Sequence, residues 1–261
     1  LLSITKNGSQ YLAIDRNGNI YSSPNLTAWT QQTNPSGKKL SSIYCVSTDL
    51  CLAVGESGTI LKKLNGSTWQ TLASGATTNT TLKAIACQAG LCVAVGGTGA
   101  ANSGTVLTST DYTNWTVQNT NLATTNLNDV KFIINQFYTV GNAGALFVST
   151  NGINWASRNP GAGTSNLNSI DGGLIKATGV LNIVIVGEAG RIVSSTNGGT
   201  LWGVRTSNTS NTLNSVIYNG TFVAVGLNGT IDQSSNSTTW SLATFPATSS
   251  NTTALYSVIS N

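Results

Sequence analysis

The sequence predicts an all-β protein, a six-bladed β-propeller of four-stranded antiparallel blades. Three observations support this prediction. A four-residue motif, Leu-x-(Ser/Ala/Asp)-(Ile/Val), begins a new repeat about every 40 residues and is here called the leader of that repeat. One Trp separates consecutive leaders, and no helical periodicity lies between them. A sheet this small cannot bury both of its faces alone, so neighbouring repeats must stack. The leaders begin at Leu1, Leu40, Leu82, Leu127, Leu167, Leu213 and Leu255, and the tryptophans are Trp29, Trp69, Trp115, Trp155, Trp202 and Trp240.

The leaders divide residues 1–261 into six blades of one predicted domain, followed by a spare strand at 255–261. We expect a ring of six blades that closes by packing of the last blade on the first. The spare strand, centred on 255–259, then pairs with an edge within the ring or in a neighbouring molecule, or it begins a seventh blade if the chain continues past Asn261. The blades span approximately residues 1–39, 40–81, 82–126, 127–166, 167–212 and 213–254.

Blade 2 shows how one repeat predicts four strands. The first strand begins at the leader Leu40 and turns at Thr48-Asp49, and the second, Leu50–Val54, is apolar throughout. A Gly-containing turn leads into a third strand at Thr59–Lys62, and Asn65-Gly66 turns the chain into a fourth strand through Trp69–Leu72. Second strands of the same apolar character recur in the other blades, as expected for strands buried between neighbouring sheets.

The turn after the second strand contains a glycine in every repeat. This regularity predicts a backbone position with positive φ. A phosphate-binding loop is disfavoured, because no helix start follows any of these glycines. The residues are Gly18, Gly58, Gly104, Gly144, Gly190 and Gly229.

Four cysteines flank two short turns at equivalent places in blades 2 and 3. Across a hairpin, the Cα atoms of each pair can approach to disulfide distance, which predicts the bonds Cys45–Cys51 and Cys87–Cys92, with buried free thiols as the alternative. Closing loops this short stabilises the fold by about 2 kcal/mol each. Disulfides indicate an oxidising compartment, so we expect a secreted, periplasmic or cell-surface protein.

The composition excludes several classes of protein. Only 8% of the residues are charged, against about 25% in an ordinary soluble domain, so Asn, Thr, Ser and Gly must provide solubility. The net charge of +4 is spread thinly, and only Lys38-Lys39 and Lys62-Lys63 are adjacent basic residues, which argues against a nucleic-acid partner. The sequence contains no run of 18 apolar residues, so it predicts no membrane-spanning helix.

The turn before several of the tryptophans carries a recognisable motif. It is written Ser149-Thr-Asn-Gly-Ile-Asn-Trp155 and Ser195-Thr-Asn-Gly-Gly-Thr-Leu-Trp202, with looser versions ending at Trp115 and Trp240. This motif resembles the Asp-box, or BNR, repeat Ser-x-Asp-x-Gly-x-x-Trp. The whole chain is similar to photosystem II assembly-factor-like propellers and to secreted, sialidase-like but non-catalytic bacterial propellers with Cys-paired hairpins.

The resemblance implies that the motif closes the hairpin between the third and fourth strands of a blade and that its Trp is structural. The Asp of the motif is mostly Asn here, and only Asp111 keeps it. Asn retains the turn-forming hydrogen bonds but removes the charge, which argues against a calcium-linked role. We expect no metal and no cofactor.

Catalysis is disfavoured by the residues that the chain lacks. The resemblance includes sialidases, which need three arginines that bind a carboxylate, a Tyr nucleophile with its Glu, and an acid/base Asp. Two of the four arginines here, Arg158 and Arg205, lie at equivalent outer-strand positions, so we do not expect them to converge on one site. The only glutamates, Glu56 and Glu188, are expected across the ring at roughly 20 Å or more, beyond the ~5–9.5 Å of glycosidase carboxylate pairs. Histidine is absent, so the commonest general base is missing.

The face formed by the turns after the second strands and by the long connections between blades is the predicted binding face. Arg16, Glu56, Asn142 and Glu188 differ at equivalent turn positions, and we expect them to contact a protein or a glycan. A non-catalytic binding or scaffold module is therefore the favoured function; a carbohydrate-binding adhesin, a structural subunit that self-assembles through strand 255–259 and, least favoured, a glycosidase are the alternatives. The connections are Leu72–Thr81, Gln118–Asn126, Asn159–Asn166, Ser207–Thr212 and Thr244–Ala254.

Overall fold

The computed structural model describes residues 1–88, 90–100, 103–118, 122, 125–243 and 253–259. Across these residues, 24 strands form six four-stranded antiparallel sheets, and each sheet consists of four strands that are consecutive in the chain. This arrangement confirms the predicted all-β, six-bladed propeller. None of the described helices is long and apolar enough to cross a membrane.

The strand bounds follow the six repeats. The first three sheets contain β1 Ser3–Asn7, β2 Gln10–Ile14, β3 Ile20–Ser23 and β4 Thr30–Gln32; β5 Leu40–Ser47, β6 Leu50–Gly55, β7 Ile60–Leu64 and β8 Gln70–Leu72; and β9 Thr81–Gln88, β10 Leu91–Gly97, β11 Thr105–Ser109 and β12 Thr116–Val117. The next three contain β13 Leu127–Ile133, β14 Gln136–Gly141, β15 Leu146–Ser149 and β16 Ala156–Arg158; β17 Leu167–Leu174, β18 Leu181–Gly187, β19 Ile192–Ser195 and β20 Gly203–Arg205; and β21 Leu213–Tyr218, β22 Phe222–Gly226, β23 Ile231–Ser234 and β24 Ser241–Leu242.

The chain divides into two compact units, Leu1–Phe132 with Ser149–Trp155, and Ile133–Val148 with Ala156–Ser260. In the first unit, apolar side chains of the first and second sheets pack together, with Leu12 and Ile14 against Leu40, Leu61 and the ring of Trp69. In the second unit, the fifth and sixth sheets pack in the same way: Val184, Val186, Leu213, Phe222 and Trp240 share one cluster.

The second strands are the most buried, as predicted. All six residues of β6 are buried, and so are all six residues after Leu91 in β10. The third strand of blade 2 begins and ends later than the sequence suggests, at Ile60–Leu64, and Trp69 precedes the fourth strand. The shift arises because residues Glu56–Gly58 form a single turn of 3₁₀ helix before the third strand begins.

Both predicted disulfides are confirmed. Cys45 lies directly opposite Cys51 across the β5–β6 ladder, and Cys87 lies opposite Cys92 across the β9–β10 ladder. The Cα atoms are 4.0 Å and 4.1 Å apart, so each bond joins the two strands of one hairpin.

The glycine prediction holds at five of its six positions. Gly104 is the exception, since its φ is not positive. There the constraint is space: a Cβ atom would overlap the carbonyl oxygens of Leu122 and Thr125. The other five glycines have φ between 66° and 86°, and they are Gly18, Gly58, Gly144, Gly190 and Gly229.

Residues 255–259 of the predicted spare strand belong to no β-ladder within the described part of the chain, and residues 260–261 lie outside the described residues. Pairing of this segment with a neighbouring molecule stays a prediction. The segment is anchored at its start, where the Leu255 amide donates to the Gly226 carbonyl at 2.9 Å and the Gly229 amide donates to the Thr253 carbonyl at 2.8 Å.

Candidate functional site

Four of the turns after the second strands share one backbone conformation. Each is a single 3₁₀ turn with a central residue at positive φ: Ser57 at 58°, Ala143 at 54°, Ala189 at 52° and Asn228 at 54°. A closing hydrogen bond recurs in each, for example from the Thr59 amide to the Glu56 carbonyl at 3.1 Å. The residues that precede the central ones are Glu56, Asn142, Glu188 and Leu227.

The connections between blades hold these turns in place. In the second sheet, the Glu56 amide donates to the Lys39 carbonyl at 2.9 Å, and the Gly58 amide donates to the Thr80 carbonyl at 2.7 Å. The turn is thus fixed by the connection that precedes its sheet and by the one that follows. A backbone anchored on both sides presents its side chains without further ordering.

The two predicted glutamates make local contacts. Glu56 lies 3.9 Å from the Lys39 ammonium, with both side chains well exposed, so this pair adds little stability. The Glu188 carboxylate accepts a 2.9 Å hydrogen bond from the side-chain amide of Asn166, and the side-chain oxygen of Asn166 accepts from the backbone amide of Ala143 at 3.0 Å. Asn166 therefore ties the turn of the fourth sheet to Glu188 in the turn of the fifth.

Arg16 and Asn142 complete the predicted set. Arg16 is exposed in a turn of different shape, in which the Asp15 carboxylate accepts the amides of Asn17 and Asn19, both at 2.9 Å. Asn142 is half-buried, and it is the first residue of the 3₁₀ turn of the fourth sheet. Most of the predicted connections Gln118–Asn126 and Thr244–Ala254 lie outside the described residues.

In the hairpin turns at the opposite ends of the sheets, polar side chains form hydrogen bonds to the backbone of their own turn. In the fourth sheet, the Ser149 hydroxyl accepts the Gly152 amide at 2.9 Å, and the Asn151 side chain accepts the amides of Ile153 and Asn154 at 3.0 and 2.9 Å. The Trp155 indole donates to the Gly152 carbonyl at 3.0 Å. The same indole bond, to the carbonyl three residues earlier, recurs at Trp29, Trp202 and Trp240.

Two tryptophans depart from this pattern. The buried indole nitrogen of Trp115 has no hydrogen-bond partner among the described residues. The Trp69 indole donates instead to the Gln32 side-chain oxygen of the first sheet at 3.1 Å. The same oxygen accepts the Lys63 ammonium at 2.8 Å, and the Gln32 amide donates to the Ser22 hydroxyl at 2.9 Å.

A polar cavity of about 300 Å³ lies between the first and second sheets beside these residues. Lys63 is half-buried at its wall, where its ammonium lies 6.0 Å from the centre of the Trp69 ring. Burial lowers the pKa of Lys63, since the charged form loses water. The lining residues are Asn7, Gln10, Leu12, Ser22, Gln32, Asp49, Cys51, Lys63, Leu64, Asn65, Gly66 and Ser67.

The sequence interpretation did not find this cavity, because it placed a ligand at the other ends of the sheets. One signal was present: Lys62-Lys63 precedes the blade 2 turn, where blades 4 and 5 have Val148-Ser149 and Ser194-Ser195. A second, more open hollow of about 440 Å³ lies at the hairpin turn of the sixth sheet beside Trp240. Its Asn236 side chain is already bonded to the amides of Thr238 and Thr239, both at 2.9 Å.

The described residues contain no group of three His, Cys, Asp or Glu side chains placed to hold a metal ion.

No family model and no curated protein matches this sequence. Solved structures share the fold at low identity. Ycf48 bound to a D1 peptide is 16% identical, with a TM-score of 0.68 over 88% of this chain and 76% of that one. Virginiamycin B lyase from Staphylococcus aureus is 12% identical, with a TM-score of 0.77 over 95% and 85%. The WD40 propeller domain of Doa1 is 15% identical, with a TM-score of 0.68 over 94% and 83%.

Proposed function

We propose that residues 1–261 form one extracellular, non-catalytic binding module that recognises a protein segment through the turns after its second strands. One observation carries the proposal: four turns have the same anchored backbone, yet their first positions hold Glu56, Asn142, Glu188 and Leu227. A repeated scaffold with different side chains at one position suits an asymmetric partner, because the backbone is already ordered before binding.

Two further features support this function. Ycf48, which shares the fold, has been solved bound to a D1 peptide, so a propeller of this general architecture can hold a peptide. The two disulfides and the resemblance to Asp-box propellers fit a module that works outside the reducing cytosol.

The test is selection of a displayed peptide library on the immobilised protein. Binding of the enriched peptides is then compared among three double variants, Arg16→Ala/Glu56→Ala, Asn142→Ala/Glu188→Ala and the control Thr27→Ala/Ile153→Ala. The control residues are exposed in hairpin turns at the other ends of the sheets. We expect one or both turn variants to lose binding tenfold or more, about 1.4 kcal/mol, while the control binds as the wild type does.

Failure to enrich any peptide, or equal binding by all variants, would overturn the proposal. Release of fluorophore from a panel of fluorogenic glycosides would contradict its non-catalytic part.

A further inference from the structure

We propose that the polar cavity between the first and second sheets binds a carbohydrate of one or two sugar units. The site lies at the hairpin-turn ends of these sheets, away from the turns that carry the proposed peptide contacts, and its ligand is of a different class. It does not depend on the function proposed above.

The cavity lies where the repeat is broken. In the fourth sheet, Ser149 accepts a backbone amide of its turn, but Lys63 stands at that position in the second sheet. There Ser67 closes the turn instead: its hydroxyl donates to the Leu64 carbonyl at 2.7 Å and accepts the Leu64 amide at 3.0 Å. The Trp69 indole is thereby free to reach Gln32, and the turn leaves room beside the first sheet.

The wall of the cavity is held in place by internal hydrogen bonds. Gln32 accepts from both Lys63 and Trp69 and donates to Ser22, so its amide group is fixed in orientation. Lys63 makes no ion pair in the part of the chain that the structure describes. A half-buried cation without an acidic partner destabilises the fold, and such costs are typical of functional positions.

The rim offers groups that the fold does not use. Within the described ranges, the side chains of Gln10, Asp49 and Asn65 form no hydrogen bond or ion pair. The Lys63 ammonium has donated one of its three hydrogens, to Gln32. Residues that carry an ammonium, a carboxylate and two amides therefore line one small volume, and their side chains keep hydrogen-bonding capacity for a ligand.

This mixture of groups selects the ligand class. Sugar hydroxyls both donate and accept, so they can satisfy a carboxylate, amides and an ammonium that lie side by side. A purely anionic ligand would be repelled by Asp49, and a purely cationic one by Lys63. The polar lining disfavours an apolar ligand. The volume of about 300 Å³ lies at the lower end of the range for small-ligand sites, which suits one or two sugar rings.

The test is a titration followed by the tryptophan indole N–H signals in ¹H–¹⁵N spectra. The probes are the methyl glycosides of glucose, galactose, mannose, fucose and N-acetylglucosamine, with lactose and cellobiose, each to tens of millimolar. Because the Trp69 indole bonds to Gln32 at the cavity wall, we expect its signal to shift most among the six tryptophans. Trp69→Phe identifies that signal by its loss.

Two neighbouring lysines provide a matched pair of variants. Lys63→Met keeps the length of the side chain but removes its charge and donors, so we expect affinity to fall about tenfold or more. Lys62 lies on the opposite face of the same strand, where its ammonium donates to Thr113 at 2.7 Å, and Lys62→Met should bind as the wild type does. Gln10→Ala/Asn65→Ala, which alters only exposed side chains, should weaken binding without changing the fold.

The proposal is overturned if none of the sugars shifts the Trp69 signal, or if Lys63→Met and the rim variant bind as tightly as the wild type. It is also overturned if sodium sulfate alone produces the same shift, since that result assigns an anion site. The variant Arg16→Ala/Glu56→Ala should retain sugar binding, so the two proposals fail independently.

Discussion

The side-chain amide of Asn214 donates a 2.8 Å hydrogen bond to the backbone carbonyl of Leu255. One sheet earlier, Asn168 donates in the same way to the carbonyl of Leu213, at 2.9 Å. Each asparagine follows its leader leucine and is the extra residue of a β-bulge, which turns its side chain towards the next leader. Leu255 therefore occupies the position of a leader beside the sixth sheet, although residues 255–259 form no ladder.

This relationship predicts a coupled effect on stability. Asn214→Ala should lower the free energy of unfolding by about 1 kcal/mol, because one partly buried hydrogen bond is lost. In a chain that lacks residues 255–261, the same substitution should have almost no effect, since its acceptor is gone. Urea denaturation of the four proteins completes the cycle. Asn168→Ala is the control and should lower the free energy of unfolding equally in the full-length and shortened chains. If Asn214→Ala lowered it as much in the shortened chain as in the full chain, the hydrogen bond to Leu255 would be contradicted.

The turn around Asp111 predicts different outcomes for two substitutions. Its carboxylate accepts the amides of Asn114 and Thr113 at 2.7 and 2.9 Å, as the Asn151 side chain does in the next sheet. Asp111→Asn should therefore stay close to the wild type in melting temperature, while Asp111→Ala falls by about 3 °C. Asn151→Ala should fall similarly, which tests the equivalence of the two turns. Equal melting temperatures for Asp111→Ala and the wild type would contradict this role.

The same carboxylate predicts a dependence on pH. Hydrogen bonds from the Asn114 and Thr113 amides and the Asn114 side chain lower the pKa of Asp111 from its usual 3.8. Because the folded pKa is depressed, the stabilisation is present above pH 3.8 and is lost as the pH falls through the folded value. The melting temperature of the wild type minus that of Asp111→Asn should accordingly decrease as the pH falls below 3.8. A difference that increases in acid would have the wrong sign.

The repeat pattern predicted the propeller and its disulfides because those features depend on residues close in sequence. Cys87 and Cys92 face each other across one hairpin, and five residues are enough to recognise it. The cavity could not be predicted in this way. Its wall joins Lys63 to Gln32, 31 residues earlier in another sheet, and the contact depends on how the two sheets pack. Gly104 shows the same limit, since its constraint comes from the carbonyl oxygens of a connection rather than from its own turn.

Buried Asp232 predicts a pH effect of the opposite sign. Burial raises its pKa above 3.8, and hydrogen bonds from Asn208 and Gln233 only partly oppose the shift. With a raised folded pKa, the fold favours the protonated acid, so its stability falls as the pH rises from 3.8 through the folded value. The unfolding free energy of Asp232→Asn minus that of the wild type should increase over this window and then level off. A constant difference from pH 3 to 7 would show that Asp232 does not titrate abnormally.

The end of the second strand in the sixth sheet predicts a strict need for glycine. A Cβ atom at Gly226 would overlap the carbonyl oxygen of Thr212, a backbone atom that cannot move independently. Gly226→Ala should therefore cost about 3 kcal/mol in urea denaturation, the upper range for an overpacked site. Gly203 is the control: its Cβ would meet only the flexible Arg205 side chain at 3.4 Å or more, so Gly203→Ala should be neutral or stabilising. Equal costs at the two positions would contradict the close approach.

Reduction of the two disulfides should weaken the fold without abolishing it. Each bond closes a short loop, with the cysteines six and five residues apart, so chain entropy gives about 2 kcal/mol per bond and about 4 kcal/mol for both. The sheets should persist, because each hairpin is also held by its ladder and by buried second strands. Urea denaturation with and without reductant measures the loss, and the four-fold Cys→Ala variant should show no response to reductant. If reduction left the wild-type midpoint unchanged, the hairpin bonds would contribute nothing to stability; complete unfolding on reduction would mean that they hold the sheets together.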